Sequence, residues 1–278
     1  MKLLTPANPS PLKNGSRRFG RRRALYLSLG WAMFCLPGAA LADLPQVISR
    51  VKPSVVIVGT FKATNSPRFS LRGTGFVVGD GNLAVTNAHV IPGSADIDTE
   101  ARIVVQVRMG QNELQMRQAT VLEVDKVHDL ALLRFDGPRV AAMAIRDSDT
   151  VQEGQSIAFT GFPIGGALGF SPVTHRGTIS SIAAIALPTA NAQQLNARTI
   201  SSLREGTFNI FQLDGTAYPG NSGGPMFDAE TGEVLGVINM VFIKGTKESA
   251  LTHPSGISYA IPSKYVMDLL SRHKTPAK

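Results

Sequence analysis

Residues 218–225 read "YPGNSGGP", a serine set among three glycines and two prolines. Gly220-Asn221-Ser222-Gly223-Gly224 satisfies the G-x-S-x-G pattern of a nucleophile elbow, which places its serine between a strand and a helix, with an acid and then a histidine after it. The residues beyond Ser222 do not fit an elbow. Pro225 opposes a helix starting at the serine, and Pro225-Met226-Phe227, a turn at 228–232 and Val234–Ile238 read as strand, turn, strand. Of the histidines after Ser222, His253 stands beside a proline in a polar loop and His273 in a basic tail. Partners for Ser222 are therefore expected upstream.

Working outward, apolar β-rich runs recur along most of the chain: "SVVIVGTF", "GTGFVVG", "LAVTN", "RIVVQVRM", "ATVLEV", "LALLRF", "SIAFTGF", "GTISSIA", "FNIFQL", "EVLGVINMVF" and "GISYAI". Turn residues separate most of them. A short helix is expected at "PQVISRVKP", and only "SKYVMDLLSRH" has clear helical spacing. The pattern predicts an all-β fold, barrel or sandwich, as one two-lobed domain with short terminal helices. The stretch 184–206 breaks the strand rhythm and reads as a long loop.

Residues 1–42 read as an export leader. Five arginines between positions 17 and 23 form a basic region, "ALYLSLGWAMFCLPG" an apolar core, and Ala40-Leu41-Ala42 a small-x-small cleavage site before Asp43. The apolar core is short for a membrane span, and only an uncleaved leader would tie the protein to a membrane. The folded domain is then 43–272, with a basic tail at 273–278. Seven of the 28 cationic residues and none of the 20 acidic ones lie in the leader, so the +8 of the whole chain falls to +1 without it. That near-neutral balance gives no reason to expect nucleic acid as a partner. The one cysteine, Cys35, is also in the leader, so disulfides, thiol chemistry and cysteine-ligated zinc are excluded from residues 43–278. No His/Asp/Glu set has metal spacing, no phosphate loop appears, and no cofactor is expected.

Asp80-Gly81-Asn82 makes a hairpin turn that delivers the end of "LAVTN" at His89. Asp129 immediately precedes the apolar run Leu130–Leu133, where a carboxylate needs a partner to offset its desolvation. Alone, His89 reads equally as a polar strand end and Asp129 as a turn cap. Ser222 completes a His, Asp, Ser order, which is the order of the chymotrypsin fold. In that geometry the Ser222 hydroxyl attacks a carbonyl, His89 takes its proton, and Asp129 fixes the imidazole tautomer. Gly220 permits a backbone that turns its own N–H and that of Ser222 toward a developing oxyanion. His128, adjacent to Asp129, is expected to face solvent by strand alternation, and His175 to be structural. Gly-x-Gly-x-Phe at 73–77 reads as a strand with close backbone approach.

"TNAHV", "DLALLRF", "PGNSGGP" and "GISYAIPS", in this order, resemble the HtrA (DegP-like) branch of the trypsin-like serine peptidases. The resemblance implies a chymotrypsin-like double β-barrel, with His89, Asp129 and Ser222 as a triad in the cleft and Gly220 and Ser222 as the oxyanion hole. It implies an ATP-independent endopeptidase of envelope protein quality control. In the digestive members an aspartate before the nucleophile pairs with a new N-terminus, which neutral Asn221 cannot do. Six residues before the serine stands Thr216, then Ala217, so no carboxylate awaits a Lys or Arg side chain. A small or medium apolar residue before the scissile bond is expected, with Ile238, Asn239 and Met240 as pocket wall. A glutamyl-specific pocket is disfavoured, because no histidine occurs from 223 to 252. The family's usual PDZ domains are not expected in this chain, and "LDGTAYPGNSGG" departs from the family's "TDAAINPGNSGG" at Leu213, Gly215 and Tyr218.

The reading is a periplasmic or secreted serine endopeptidase acting on unfolded or exposed polypeptide segments. The alternative is a latent module of the same fold that binds polypeptide without turnover at rest, and a serine esterase stands third. The sequence assigns no oligomeric state.

Overall fold

Each Val-, Ile- and Leu-rich run has a face to bury, and in a chain with few helices the partner for one strand is another strand. The computed structural model describes residues 43–92, 101–110, 113–164, 169–185, 208–239 and 256–274. Among these there are twelve strands in two closed antiparallel barrels, a chymotrypsin-like double barrel.

Helix α1 (Leu44–Val51) is followed by β1 (Val55–Phe61), β2 (Phe69–Val78), β3 (Leu83–Asn87), β4 (Arg102–Arg108), β5 (Leu114–Asp125) and β6 (Leu130–Phe135), which close in the order β1-β2-β3-β6-β5-β4. The second barrel comprises β7 (Ser156–Gly161), β8 (Val173–Ile185), β9 (Phe208–Asp214), β10 (Pro225–Asp228), β11 (Val234–Asn239) and β12 (Ile257–Pro262), in the order β10-β11-β12-β9-β8-β7. Helix α2 (Ser263–Lys274) ends the described chain. The expected strand, turn, strand after Ser222 is the β10–β11 pair. Strand β8 is longer than its sequence suggested: Ala184 and Ile185 still pair with Asn209 and Phe208, so the expected loop does not begin at 184. Its remainder from 186, with Met240 and His253, lies outside the described residues.

Closing a barrel removes the sheet edges and leaves the barrel interior to be filled by side chains. Val56, Val58, Val77, Val105 and Leu133 fill the first barrel, and Ile157, Phe159, Phe211, Met226 and Leu235 the second. A third cluster joins the two. Ile57, Phe76 and Leu132 of the first barrel pack with Ala158, Phe227 and Val237 of the second, and α1 adds Val47 and Val51 while α2 adds Val266 and Leu269. The helices thus bridge the barrels on their apolar faces, which fixes the edge where loops of both meet.

A polar clasp on Asp228, at the end of β10, adds to this packing. Its Oδ1 accepts N–H groups of Glu230 and Thr231 at 2.9 and 3.0 Å, and its Oδ2 accepts Arg146 Nη2 at 2.9 Å and Gln155 Nε2 at 2.7 Å. Burial alone pushes this carboxyl up, but the four donors outweigh it and hold it below the usual carboxylate range. A carboxyl lowered on folding contributes stability above its unfolded value near pH 4, and loses it as the pH falls through the folded value. Asp228→Asn is expected to lower stability at pH 7 by about 2 kcal/mol, with the deficit shrinking below about pH 4. Urea midpoints at pH 7, 4 and 3 check this; a deficit independent of pH refutes it.

Candidate active site

A turn through Tyr218–Ser222 presents five successive carbonyls, each of which needs a donor if buried. All five have one. Tyr218 O accepts Asn221 N at 2.9 Å, Pro219 O accepts Ile164 N at 2.7 Å, and Gly220 O accepts the Thr74 hydroxyl at 2.6 Å. Asn221 O accepts Gly224 N at 2.9 Å and Ser222 O accepts Thr74 N at 2.8 Å. Gly223 N is spent on Ile238 O at 2.9 Å. Among the described residues no acceptor takes the N–H of Gly220 or of Ser222.

The glycines here answer to space. Gly220 has φ +104°, and a Cβ on it would run into Phe162 O. Gly223 has φ +84°, and a Cβ there would strike Thr74 O and the Thr86 hydroxyl. Gly73 lies where Val90, next to His89, and Ser222 converge: its Cβ would stand 2.7 Å from Val90 Cγ2 and 2.8 Å from Ser222 O. The close backbone approach expected of Gly73 is thus the contact that seats the nucleophile turn on the first barrel.

The three residues singled out from the sequence sit at that junction. His89 lies in a short 3₁₀ turn, Ala88–Val90, at the end of β3. Its N–H donates to Asp129 Oδ1 at 2.8 Å, and its Nδ1 lies 2.6 Å from Asp129 Oδ2. A carboxylate only accepts, so Nδ1 carries the proton, and in the neutral imidazole Nε2 is the acceptor. Asp129 is held in turn: its backbone adopts φ +52°, and its carbonyl accepts Ala88 N and Asn87 Nδ2, each at 3.0 Å. A left-handed backbone is uncommon outside glycine, and these bonds secure it. No hydrogen bond joins the Ser222 hydroxyl to the His89 ring among the described residues; in unliganded sites this contact is commonly long and tightens with substrate.

Asn239, read from sequence as pocket wall, is fully buried and donates from Nδ2 to Asp129 Oδ2 at 2.7 Å. It comes from the end of β11, so the second barrel also steadies the acid of the first. Ile238 packs in the second barrel's core with Ala217. Ala217 N donates to Ser258 Oγ at 2.8 Å, and that hydroxyl donates to Gly215 O at 2.7 Å. Thr216 between them is half-buried.

His128 does not face solvent as expected. Residues 126–129 form a turn, so strand alternation does not apply. Its N–H and Nδ1 bond Asp125 at 3.0 and 2.9 Å, and its ring stacks on Tyr265 of α2 at 3.9 Å between centroids. Arg272 of α2 donates to the same carboxylate at 2.7 Å. Burial pushes Asp125 up, but His128 and Arg272 hold it well below the usual range. His175 stacks on Phe159, with Nε2 buried and without a partner among the described residues, and burial pushes its imidazole down.

Residues 73–237 match the profile of the trypsin-like peptidase domain. Mitochondrial serine protease HTRA2 of Drosophila virilis is 32% identical over 209 residues, 75% of this chain and 41% of that protein, and HTRA2 of Drosophila ananassae gives the same values. The chain therefore spans about two fifths of the length of these relatives. Among solved structures, the HtrA-type protease AlgWS227A with tripeptide has a TM-score of 0.58 at 26% identity, covering 83% of this chain and 63% of that one. The HtrA-type protease AlgW with tripeptide has a TM-score of 0.59 at 25% identity, covering 82% and 62%.

Asn221 sets a test of its own. Its side chain is fully buried, and among the described residues neither Oδ1 nor Nδ2 has a hydrogen-bond partner. Asn221→Asp would place an unpaired carboxylate there. It is expected to destabilise the fold at pH 7 by about 3 kcal/mol or more, and less at low pH where the carboxyl is neutral. Chemical denaturation at both pH values measures this; full stability at pH 7 contradicts it.

Proposed function

The chain belongs to the trypsin-like peptidase family, and on that premise we propose that it is a serine endopeptidase of HtrA type with His89, Asp129 and Ser222 as its triad. One observation carries the reading: every carbonyl of the turn 218–222 accepts a hydrogen bond, while among the described residues no acceptor takes the N–H groups of Gly220 and Ser222 beside the serine.

In the proposed reaction the Ser222 oxygen attacks the scissile carbonyl carbon as His89 Nε2 removes the hydroxyl proton. The carbonyl oxygen takes the displaced electron pair and is met by the two open N–H groups, each such donor contributing about 3 kcal/mol. Asp129 stabilises the imidazolium through the 2.6 Å contact at Nδ1. His89 then passes its proton to the departing amine, breaking the C–N bond. Water, deprotonated by His89, hydrolyses the acyl ester and restores Ser222. Asn239, donating to Asp129 Oδ2, keeps that carboxylate turned toward the ring.

The substrate is proposed to be unfolded or exposed polypeptide, in keeping with the solved relatives described with a tripeptide. With no carboxylate at Thr216, the residue before the scissile bond is proposed to be small or medium and apolar. The leader-like residues 1–42 support export and a role in the bacterial envelope, with a mature N-terminus at Asp43. The open donors favour turnover at rest over the latent alternative.

Purified protein is expected to be labelled by a fluorophosphonate probe and to degrade denatured casein. Ser222→Ala and His89→Ala are expected to abolish both, a loss of at least about 10⁴-fold. A folded wild-type protein that takes no label refutes the reading in favour of a latent binding module. Asn239→Ala should keep the nucleophile but lower kcat/KM about tenfold, as expected for loss of one hydrogen bond to a charged group; unchanged kcat/KM would remove Asn239 from the mechanism.

A further inference from the structure

Thr74, in β2 of the first barrel, is fully buried, and its hydrogen-bonding groups are turned to the nucleophile turn and its supports. Its hydroxyl donates to Gly220 O at 2.6 Å and accepts Phe162 N at 3.1 Å. Its N–H donates to Ser222 O at 2.8 Å, and its carbonyl accepts the Thr86 hydroxyl at 2.6 Å. We infer that Thr74 is a positioning residue whose hydroxyl holds the Gly220 N–H in its receptive orientation. This rests on the peptidase reading.

The direction of the Gly220 N–H is set by two neighbouring peptide units. On one side, the Pro219–Gly220 unit is fixed by Ile164 N on Pro219 O, which turns the N–H of the same unit the opposite way. On the other side, Gly220 O is fixed by the Thr74 hydroxyl. Ile164 has φ +59°, an outlier for a β-branched residue, so its grip on Pro219 depends on its surroundings to hold it there. Phe162, two residues earlier, is anchored by the same Thr74 hydroxyl. One oxygen therefore holds both clamps on Gly220, directly at its carbonyl and through 162–164 at the carbonyl before it. The backbone N–H of Thr74 ties the turn to the barrel whatever the side chain, so the hydroxyl acts on orientation rather than on attachment.

Thr74→Val keeps the side chain's shape and removes the hydroxyl, whereas Thr74→Ser keeps the hydroxyl and removes a methyl group. With a fluorogenic peptide substrate, Thr74→Val is expected to lower kcat about 100-fold, the scale of losing one oxyanion donor, with KM within about threefold of wild type and the pH profile unshifted, because the His89–Asp129 pair is untouched. Thr74→Ser is expected to restore kcat to within about threefold. Amide exchange in the absence of substrate should speed up about tenfold in peptides spanning 216–224 of Thr74→Val, with β1 and β4 unchanged. Wild-type kcat in Thr74→Val, a Thr74→Ser variant as impaired as Thr74→Val, or faster exchange spread equally through β1 and β4 would each overturn the inference. A wild-type protein that neither takes label nor cleaves would sink the peptidase reading, and the exchange comparison would still decide whether Thr74 holds the turn.

Discussion

A backbone that turns two N–H groups out of its own hydrogen bonding has to find donors for the carbonyls around them. In the turn 218–222 all five carbonyls are bound: three donors come from within the turn's own surroundings and β2, one from the 162–164 segment, and one is a side-chain hydroxyl. The arrangement requires both barrels, because Thr74 belongs to the first and Gly220 to the loop before β10 in the second. The apolar cluster shared by the barrels and helices holds the two parts in register, and the hydrogen bonds convert that register into donor directions.

The acid and base side is built on a local motif that occurs twice. Asp129 takes the backbone N–H of His89 on one oxygen and its Nδ1 on the other, and Asp125 does the same for His128. The two pairs differ in what covers the ring. Tyr265 stacks on His128 and Arg272 shares its carboxylate, so that imidazole is a structural pin holding α2 to the turn that ends in Asp129. His89, about one third exposed, keeps a free edge. Identical pairing thus supports packing in one case and, on the proposed reading, a reactive ring in the other.

Much of this is legible in the sequence, and the remainder has a physical reason for being hidden. The strands show through as apolar runs between turn residues, and His89, Asp129 and Ser222 through their order and neighbours. Thr74 gives no signal, because a threonine in a strand is ordinary and only the fold brings Gly220 and Phe162 to its hydroxyl. Asn239 is placed near the site by sequence as pocket wall, but its bond to Asp129 shows only in the fold, since side-chain direction at a strand end depends on what the other barrel presents. For His128 the expectation fails because alternation does not extend into a turn. Ala184 and Ile185 resemble loop residues, and only their pairing with β9 makes them strand.

The order of the parts along the chain has a consequence for synthesis. The histidine and aspartate lie in the barrel made first, while the serine and its donors depend on a second barrel that closes only when β12, at Ile257–Pro262, pairs with β9 and β11. A nascent or unfolded chain holds the reactive groups but not the surface that aims them. On the proposed reading the capacity to cut arises only with the final strand, and a chain whose second barrel has not closed carries the three side chains without the aligned backbone around them.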